Sequence, residues 1–128
     1  MHYLLDTHTF LWFLTNDKQL PKPTAQKIKN LQNTCWISIA SIWEIVIKAN
    51  IGKLSLEFSL QEILDYIHRN QISVLPIELT HLLVLDKLPQ HHKDPFDRII
   101  ISQTMAENFV VLSDDAMFKK YPVTISWN

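Results

Sequence analysis

Acidic side chains stand beside the apolar runs of this chain of 128 residues. Asp6 comes directly after one such run, and Asp115 follows another closely. Glu44 lies inside a third apolar segment, and Asp97 comes just before a fourth. Carboxylate oxygens are the ligands that Mg²⁺ and Mn²⁺ prefer in proteins. Such ions orient a water molecule, lower its pKa and hold the charge that develops on phosphorus, so these residue types indicate hydrolysis of a phosphodiester bond.

Taken singly, each acid also has a structural explanation. Asp94 followed by proline is a strong N-cap, and Asp97, three residues later, sits at a capping-box position. Ser41-x-x-Glu44 fits a capping box too, and Glu44 with Lys48 forms an i,i+4 pair worth only about 0.2–0.5 kcal/mol. Helix caps are common and active sites few, so one acid alone favours a structural role.

The combination favours a metal site. Crowded carboxylates repel one another and raise their own pKa values unless a cation neutralises them. The chain has one cysteine, which excludes a thiolate metal cluster, and one glycine, Gly52, which excludes the glycine-rich phosphate loops. A divalent ion at the carboxylates would take over the phosphate contact that backbone amides make in such loops.

Two kinds of apolar pattern alternate along the chain and predict the elements that carry these acids. Short continuous apolar runs predict buried strands at 3–5, 35–38, 72–75, 109–112 and 123–125. Apolar residues that recur every three or four positions predict helices around 10–14, 24–31, 39–47, 59–67, 79–88 and 95–105. We expect Pro21 and Pro23 to close the first helix, Ser59 and Glu62 to form a capping box, and Gly52 to end the third helix.

Strands without polar alternation, separated by helices, indicate an α/β fold with a parallel sheet covered on both faces. Ligands of such sheets collect at the carboxyl ends of the strands, near the point where the strand order reverses. Strand polarity alone brings Asp6 and Asp115 to that edge. We find no repeat, linker or low-complexity tract and expect a single domain over residues 1–128.

Composition limits the kinds of protein to which the chain can belong. The net charge is −1, which does not by itself indicate a nucleic-acid binder. The lone Cys35 lies in an apolar run and suits a reducing compartment. The first residues lack the pattern of a signal peptide, and Glu44 and Lys48 interrupt the most apolar segment. We expect a soluble cytoplasmic protein with no membrane association.

Four sequence blocks together resemble the PIN-domain proteins, and specifically the VapC-type ribonuclease toxins of bacterial toxin–antitoxin pairs. They are Leu4-Leu5-Asp6-Thr7-His8, Ser38-x-x-Ser41-x-Trp43-Glu44, Leu88-Pro89 with His92-x-Asp94-Pro95-Phe96-Asp97-Arg98, and Leu112-Ser113-Asp114-Asp115. The resemblance covers residues 3–127, and its most specific part is the Asp94–Arg98 block. It implies a three-layer sandwich around a parallel sheet of about five strands.

By that resemblance, the catalytic and metal-binding residues are Asp6, Glu44, Asp97 and Asp115. The metal would be Mg²⁺, with Mn²⁺ as a substitute. Asp94 would be a cap or an outer partner of the site. The last block usually reads Thr-x-Asp, and here Asp114 stands beside Asp115, so either acid could reach the metal.

Further residues are expected to support the carboxylates or to contact the substrate. Ser38 and Ser41 are expected to hydrogen-bond the carboxylates or their waters, although helix capping explains Ser41 nearly as well. Arg98 is either the partner of a carboxylate or a phosphate clamp that contacts RNA, and Lys48 is a second candidate for RNA contact. His91 and His92, in a polar loop, are expected to be exposed rather than ligands. Trp12, Trp36 and Trp43 lie in apolar runs and are expected in the core or an interface rather than as platforms for base stacking.

The resulting hypothesis is a metal-dependent endoribonuclease, a hydrolase in which Mg²⁺ held by four carboxylates activates water. The first alternative is a non-catalytic PIN-like module that binds RNA or a protein partner. The second is a phosphoacceptor receiver domain, but such a domain carries an acidic pair after its first strand and a lysine after its last, and neither is evident here. The resemblance also implies a cognate antitoxin and a homodimer. The apolar residues of the first helix could supply such a surface, and the core could equally bury them: Phe10, Trp12, Phe13 and Leu14.

Overall fold

The computed structural model describes residues 1–128, which form a parallel sheet with helices on both faces. The five strands lie in the spatial order β3-β2-β1-β4-β5. Their bounds are β1 His2–Leu5, β2 Thr34–Ser38, β3 Ser73–Leu75, β4 Val110–Leu112 and β5 Thr124–Ser126. Every strand pair is parallel. The α/β class and the five-stranded parallel sheet expected from the sequence are confirmed.

Six α-helices and a short 3₁₀ helix cover the sheet. They are α1 Thr7–Thr15, α2 Lys22–Lys29, α3 Ile39–Asn50, α4 Leu60–Arg69, α5 Leu79–Asp86, α6 Pro95–Glu107 and the 3₁₀ helix Ala116–Lys120. No helix has the length and apolar character needed to span a membrane.

Alternation along β1 divides the apolar residues between two cores. Tyr3 and Leu5 pack into one core, together with residues of α1, α2, α3 and α4. Leu4, between them, packs into the other core, with residues of α6 and the 3₁₀ helix. Successive side chains of a strand point to opposite faces, so the continuous apolar run is explained by burial of both faces.

The strand order reverses beside β1. From β1 the chain adds β2 and β3 on one side and then returns to place β4 and β5 on the other. The boundary between β1 and β4 is therefore the switch point at which sheets of this kind bind ligands. Thr9 Oγ1 donates to the Leu112 carbonyl at 2.8 Å and the Asp6 amide to the same carbonyl at 3.2 Å, which closes this boundary just beyond the strands.

Helix caps agree with the sequence in part. Ser59 and Glu62 form the expected capping box of α4, and Asp94 caps α6, with Pro95 as its first residue. The prediction that Pro21 and Pro23 close the first helix is wrong, because α1 ends at Thr15 and both prolines lie at the start of α2. Proline suits a helix start, where its missing N–H leaves no intrahelical bond unmade.

The expected capping box at Ser41 does not form. The N-cap of α3 is Ser38, whose Oγ accepts from the Ala40 amide at 3.0 Å, so Ser41 lies inside the helix. The chain passes from β2 to α3 with no intervening loop. Glu44 thus sits in the second turn of α3, close to the carboxyl edge of the sheet.

Candidate carboxylate site at the sheet edge

Asp6 begins the site at the end of β1. Its side chain is 4% exposed, and it caps α1 by accepting from the Thr9 amide at 2.8 Å. Burial raises the pKa of Asp6, while hydrogen bonds from the Ser113 side chain and the Thr9 amide act in the opposite direction. The strand fixes where the chain arrives, and the cap fixes where the carboxylate points. Asp6 therefore presents a buried carboxylate at the switch point.

Glu44 is held by side chains of α1 and α3. It is 4% exposed; Lys48 donates to its Oε2 at 2.5 Å, and Thr7 Oγ1 lies 2.7 Å from its Oε1. Thr7 Oγ1 also lies 2.9 Å from Ser41 Oγ. Threonine has one hydroxyl proton and a carboxylate only accepts. Thr7 therefore donates its hydrogen bond to Glu44 and accepts one from the Ser41 hydroxyl. This short chain of hydroxyls fixes the orientation of the Glu44 carboxylate.

Asp94 and Asp97 come from the first turn of α6. Asp94 Oδ1 accepts from the amides of Phe96 at 2.9 Å and Asp97 at 3.1 Å, as expected of an N-cap. The pKa of Asp97 rises to about 7, first through burial and then through the neighbouring carboxylates of Asp94, Asp6 and Glu44, while His92 acts in the opposite direction. The repulsion expected from crowded acids is thus present at Asp97.

Asp115 enters from the turn after β4. It caps the 3₁₀ helix by accepting from the Met117 amide at 2.9 Å, and its own amide donates to Ser113 Oγ at 3.1 Å. His92 connects it to α6, because Nε2 of His92 lies 2.9 Å from Asp115 Oδ2 and 3.1 Å from Asp97 Oδ2. Acids from the 3₁₀ helix and from α6 therefore share one imidazole.

The expectation that His92 is exposed is wrong. Its side chain is 12% exposed, and Nδ1 accepts from the Asp94 amide at 3.2 Å. With Nδ1 used as an acceptor, the proton of the neutral ring lies on Nε2, which faces the two carboxylates. His92, Asp97 and Asp115 lie close enough to hold a metal ion together. Coordination through Nε2 would nevertheless require the proton to move to Nδ1, against the Asp94 amide, so the geometry favours His92 as a donor to the acids.

The predicted acids Asp6, Glu44, Asp97 and Asp115 are brought to one edge of the sheet. Asp97 feels the charges of Asp6 and Glu44, and it shares His92 with Asp115. The hydrogen bond to Glu44 raises the pKa of Lys48, and the charges of Asp94 and Asp97 add to the rise. Hard oxygen donors, with more negative than positive charge among them, are the donor set that Mg²⁺ or Mn²⁺ requires. The residues present therefore fit such an ion.

The roles of Asp114 and Arg98 differ from those expected. Asp114 is exposed and no side-chain hydrogen bond links it to the other acids, which favours Asp115 as the acid of its block. Arg98 is neither the partner of a carboxylate nor free to clamp phosphate. It is 9% exposed, and its guanidinium donates to the carbonyls of Pro89, Leu88 and His92 at 2.9, 3.2 and 3.4 Å. Arg98 thus holds the loop that carries His92.

Sequence reasoning missed Thr7 and Tyr121. The Tyr121 hydroxyl accepts from the His92 amide at 2.7 Å and donates to the Pro89 carbonyl at 2.8 Å, so it supports the same loop as Arg98. Thr7 follows Asp6 directly, and that adjacency is the signal that could have indicated it. Nothing in the sequence around Tyr121 indicates its contact with a loop about thirty residues away.

Of the two alternatives for the apolar residues of α1, a surface or the core, the structure shows mainly the core. Phe10, Phe13 and Leu14 are buried in the core, and Trp12 is partly buried against it. A cavity of about 840 Å³ does lie beside α1, α2 and α4, with Trp12, Phe13 and Tyr66 in its lining. It is a different region from the carboxylate edge, since none of the acids of the site lines it.

Comparisons with known proteins agree with this architecture. Residues 3–123 match the sequence profile of the PIN domain. The fold is similar to that of a chain in VapBC2 from Rickettsia felis bound to a DNA fragment from their promoter, with a TM-score of 0.74, 20% identity and 100% of both chains covered. It is also similar to a chain of VapBC-1 from nontypeable Haemophilus influenzae, with a TM-score of 0.73, 19% identity and 98% and 97% of the two chains covered.

A third similar structure is DNA-bound VapBC from Salmonella typhimurium, with a TM-score of 0.71, 18% identity and 98% and 97% of the two chains covered. No curated protein matches the chain. At identities of 20% or less, these structures support the assignment of the fold alone. The profile match is independent of them and runs through all the acidic positions of the site. The chain belongs to the PIN domain family.

Proposed function

We propose that this protein is a VapC-type toxin, an Mg²⁺-dependent endoribonuclease that hydrolyses RNA phosphodiester bonds. One observation carries the proposal: acids that follow β1, lie in α3 and α6 and follow β4 meet at the switch point of the sheet. Burial there, together with the neighbouring charges of Asp94, Asp6 and Glu44, raises the pKa of Asp97 to about 7. A cap needs one carboxylate at one helix start. It does not require acids from four elements to gather in one place.

Asp6, Glu44, Asp97 and Asp115 would hold one or two Mg²⁺ or Mn²⁺ ions. When bound, the metal supplies a Lewis acid that lowers the pKa of water and holds charge on phosphorus. The chain's own groups position the carboxylates: Thr9 fixes Asp6 through its amide, Thr7 and Lys48 fix Glu44, and the His92 imidazole fixes Asp97 and Asp115. Ser38 and Ser41 act indirectly, through the start of α3 and through Thr7.

Lys48 remains the candidate for contact with the RNA backbone. Its side chain is 38% exposed beside Glu44, so the ammonium can approach a phosphate without leaving the site. A small cavity of about 130 Å³ adjoins it and is lined by Lys53, His8, Thr7 and Glu44 as well. Two lysines and a histidine at the rim suit a polyanionic substrate.

The proposal includes partners. A cognate antitoxin is proposed because the similar solved structures are VapBC assemblies. A second copy of the chain is proposed from the family resemblance alone. The cavity of about 840 Å³ beside α1 and α2 offers a surface for the antitoxin. We propose the cytoplasm as the site of action, since both the RNA substrate and such a partner would be met there.

The test is cleavage of total cellular RNA by purified protein, with Mg²⁺ or Mn²⁺ and with chelator. We expect cleavage that depends on the ion and is lost in Asp6→Asn, with the circular dichroism of the fold retained. Asp114→Asn is the matched control, because that exposed acid lies outside the group and should leave cleavage unchanged. Binding of RNA with no cleavage under any divalent ion would instead support the non-catalytic module.

A further inference from the structure

Trp43 has an unusual position for a large aromatic residue. It lies in the apolar segment of α3, yet 57% of it is exposed, so of the two expected places, the core and an interface, the core is wrong. Its ring meets the ring of Phe96 edge to face, with centroids 5.2 Å apart. No other residue of α3 exposes so large an apolar side chain. The exposed indole therefore calls for an explanation other than packing.

The Trp43–Phe96 pair lies beside the carboxylates. Trp43 immediately precedes Glu44 on α3, and Phe96 immediately precedes Asp97 on α6. Neighbouring residues of a helix are about 100° apart, since one turn takes about 3.6 residues. The two helices that supply Glu44 and Asp97 therefore also supply the two rings. On each helix the ring lies on the face next to the one that carries the acid.

A cavity of about 390 Å³ lies against these rings. Ala40 lines it beside Trp43 on α3, and Ile99 lines it beside Phe96 on α6. Lys93 and Gln90, both exposed, add an ammonium and an amide. Flat apolar walls with a few polar groups are typical of sites for small planar ligands, and the volume lies within the usual range of about 300–1,000 Å³.

We propose that the Trp43–Phe96 cavity is a nucleobase subsite, which takes the base of a nucleotide next to the scissile phosphate. This inference rests on the proposed function and specifies how the substrate is held. An RNA strand whose phosphate lies at the carboxylates can place a neighbouring base against these rings, because Trp43 and Phe96 directly precede Glu44 and Asp97. Exposed aromatic rings bind bases by stacking, and this contact tolerates any base because every base has a π face.

Charge and location favour a nucleotide over a protein side chain as occupant. No acid of the site lines either this cavity or the larger one beside α1 and α2, but two lining residues of this cavity, Trp43 and Phe96, directly precede Glu44 and Asp97 in the chain. The Arg98 guanidinium reaches the cavity wall but is occupied by backbone carbonyls, so Lys93 is the cation at the rim that remains to meet a phosphate.

The experiment compares Trp43→Ala, Trp43→Phe and the wild type on a short RNA whose cleavage position has been mapped. Each enzyme is also given RNAs with an abasic site on either side of the cleaved bond. We expect Trp43→Ala to lose about tenfold or more in kcat/KM and Trp43→Phe, which keeps a ring, to lose much less. Leu31→Ala removes a side chain that is 72% exposed, far from the site, and is the control.

The abasic RNAs separate stacking from a general effect on the fold. One abasic position should slow the wild type about as much as Trp43→Ala does, and it should slow Trp43→Ala little further, because the contact is already gone. Equal cleavage by the wild type and Trp43→Ala, or additive losses, would overturn the subsite and leave the nuclease assignment intact. If Trp43→Ala cleaves normally but changes from dimer to monomer in light scattering, the residue belongs to a protein interface and the subsite is overturned. No cleavage by the wild type would remove both proposals.

Discussion

The Nε2 atom of His92 lies 2.9 Å from the Oδ2 atom of Asp115, and the same nitrogen lies 3.1 Å from Asp97. One imidazole thus connects acids from two elements that a bound cation would also connect. The Asp94 amide, which donates to Nδ1, keeps the ring in the form that donates to the carboxylates. In the absence of metal, the two contacts of the His92 imidazole hold the Asp97 and Asp115 carboxylates together.

Replacing His92 with alanine should lower the stability of the metal-free protein. A hydrogen bond to a charged group contributes about 1.5–3 kcal/mol, and its loss leaves Asp97 and Asp115 facing each other. We expect thermal unfolding in chelator at a temperature lower by several degrees, and partial recovery in Mg²⁺ or Mn²⁺. His91→Ala, a change at the exposed neighbour, is the control. Equal effects of the two variants would show that the bridge contributes nothing.

Stability should fall as pH rises through the range in which Asp97 titrates. Its pKa is about 7 in the folded protein and near 3.8 when unfolded, so the folded state binds more protons between those values. The free energy of unfolding therefore decreases with pH in this window. Asp97→Asn removes the effect and should stabilise the metal-free protein by about 1 kcal/mol or more at pH 8, and by less at pH 5. Urea unfolding at both pH values checks this, and an equal gain at both would contradict it.

Divalent ions should stabilise the protein through the same acids. An ion that binds only the folded state raises the apparent stability by RT ln(1 + [L]/Kd), which is about 2.7 kcal/mol at a hundredfold excess over Kd. We expect Mn²⁺ to raise the melting temperature of the wild type, more so at pH 8 than at pH 6, because proton release from Asp97 favours the ion. Asp6→Asn and Asp97→Asn should respond weakly, and Asp114→Asn should respond like the wild type.

The hydroxyl chain to Glu44 predicts a distinct pattern of variants. Thr7→Val keeps the shape of the side chain but leaves the buried carboxylate without its 2.7 Å partner. We expect a loss of about 1–3 kcal/mol in stability and a fall in RNA cleavage at a temperature where the fold persists. Thr7→Ser keeps the hydroxyl and should restore cleavage. Equal cleavage by the valine and serine variants would show that the hydroxyl has no part in positioning Glu44.

Arg98 should affect stability rather than RNA affinity. Arg98→Lys cannot span the carbonyls of Leu88 and Pro89 with a planar fork, so the loop that carries His92 loosens. We expect a lower melting temperature and a lower kcat, with little change in the affinity for a non-cleavable RNA. A large loss of affinity at unchanged melting temperature would return Arg98 to the role of a phosphate clamp.

The acids were accessible to sequence reasoning because strand polarity and helix starts place them. Asp6 ends a strand, Asp94 and Pro95 begin a helix, and both features depend on neighbours within a few residues. His92 was not accessible, because its environment depends on a loop held by the Tyr121 hydroxyl and the Arg98 guanidinium from distant parts of the chain. A polar loop sequence gives no sign of such support.

Trp43 and Arg98 show a second limit. Periodicity assigned Trp43 to a buried apolar face of α3, but the buried residues of that helix are Ala40, Ser41, Glu44 and Ile45, and Trp43 lies on the exposed side, against a cavity. The type of residue 98 suggested a charged partner, whereas its partners are backbone carbonyls, which every residue carries and no sequence pattern marks. The alternative in which Ser41 caps a helix is wrong, because Ser38, at the very end of β2, starts the helix earlier.

The boundary between β1 and β4 also bears on how the protein is made. Thr9 bonds the Leu112 carbonyl across a sequence separation of 103 residues, and Asp115 comes later still. A ribosome releases the chain from its amino terminus, so β1, β2 and β3 emerge long before β4 can be inserted beside them. Until about nine-tenths of the chain has emerged, the nascent protein carries Asp6, Glu44 and Asp97 without Asp115 and without the strand that closes the edge. The proposed toxin would thus remain inactive during most of its own translation.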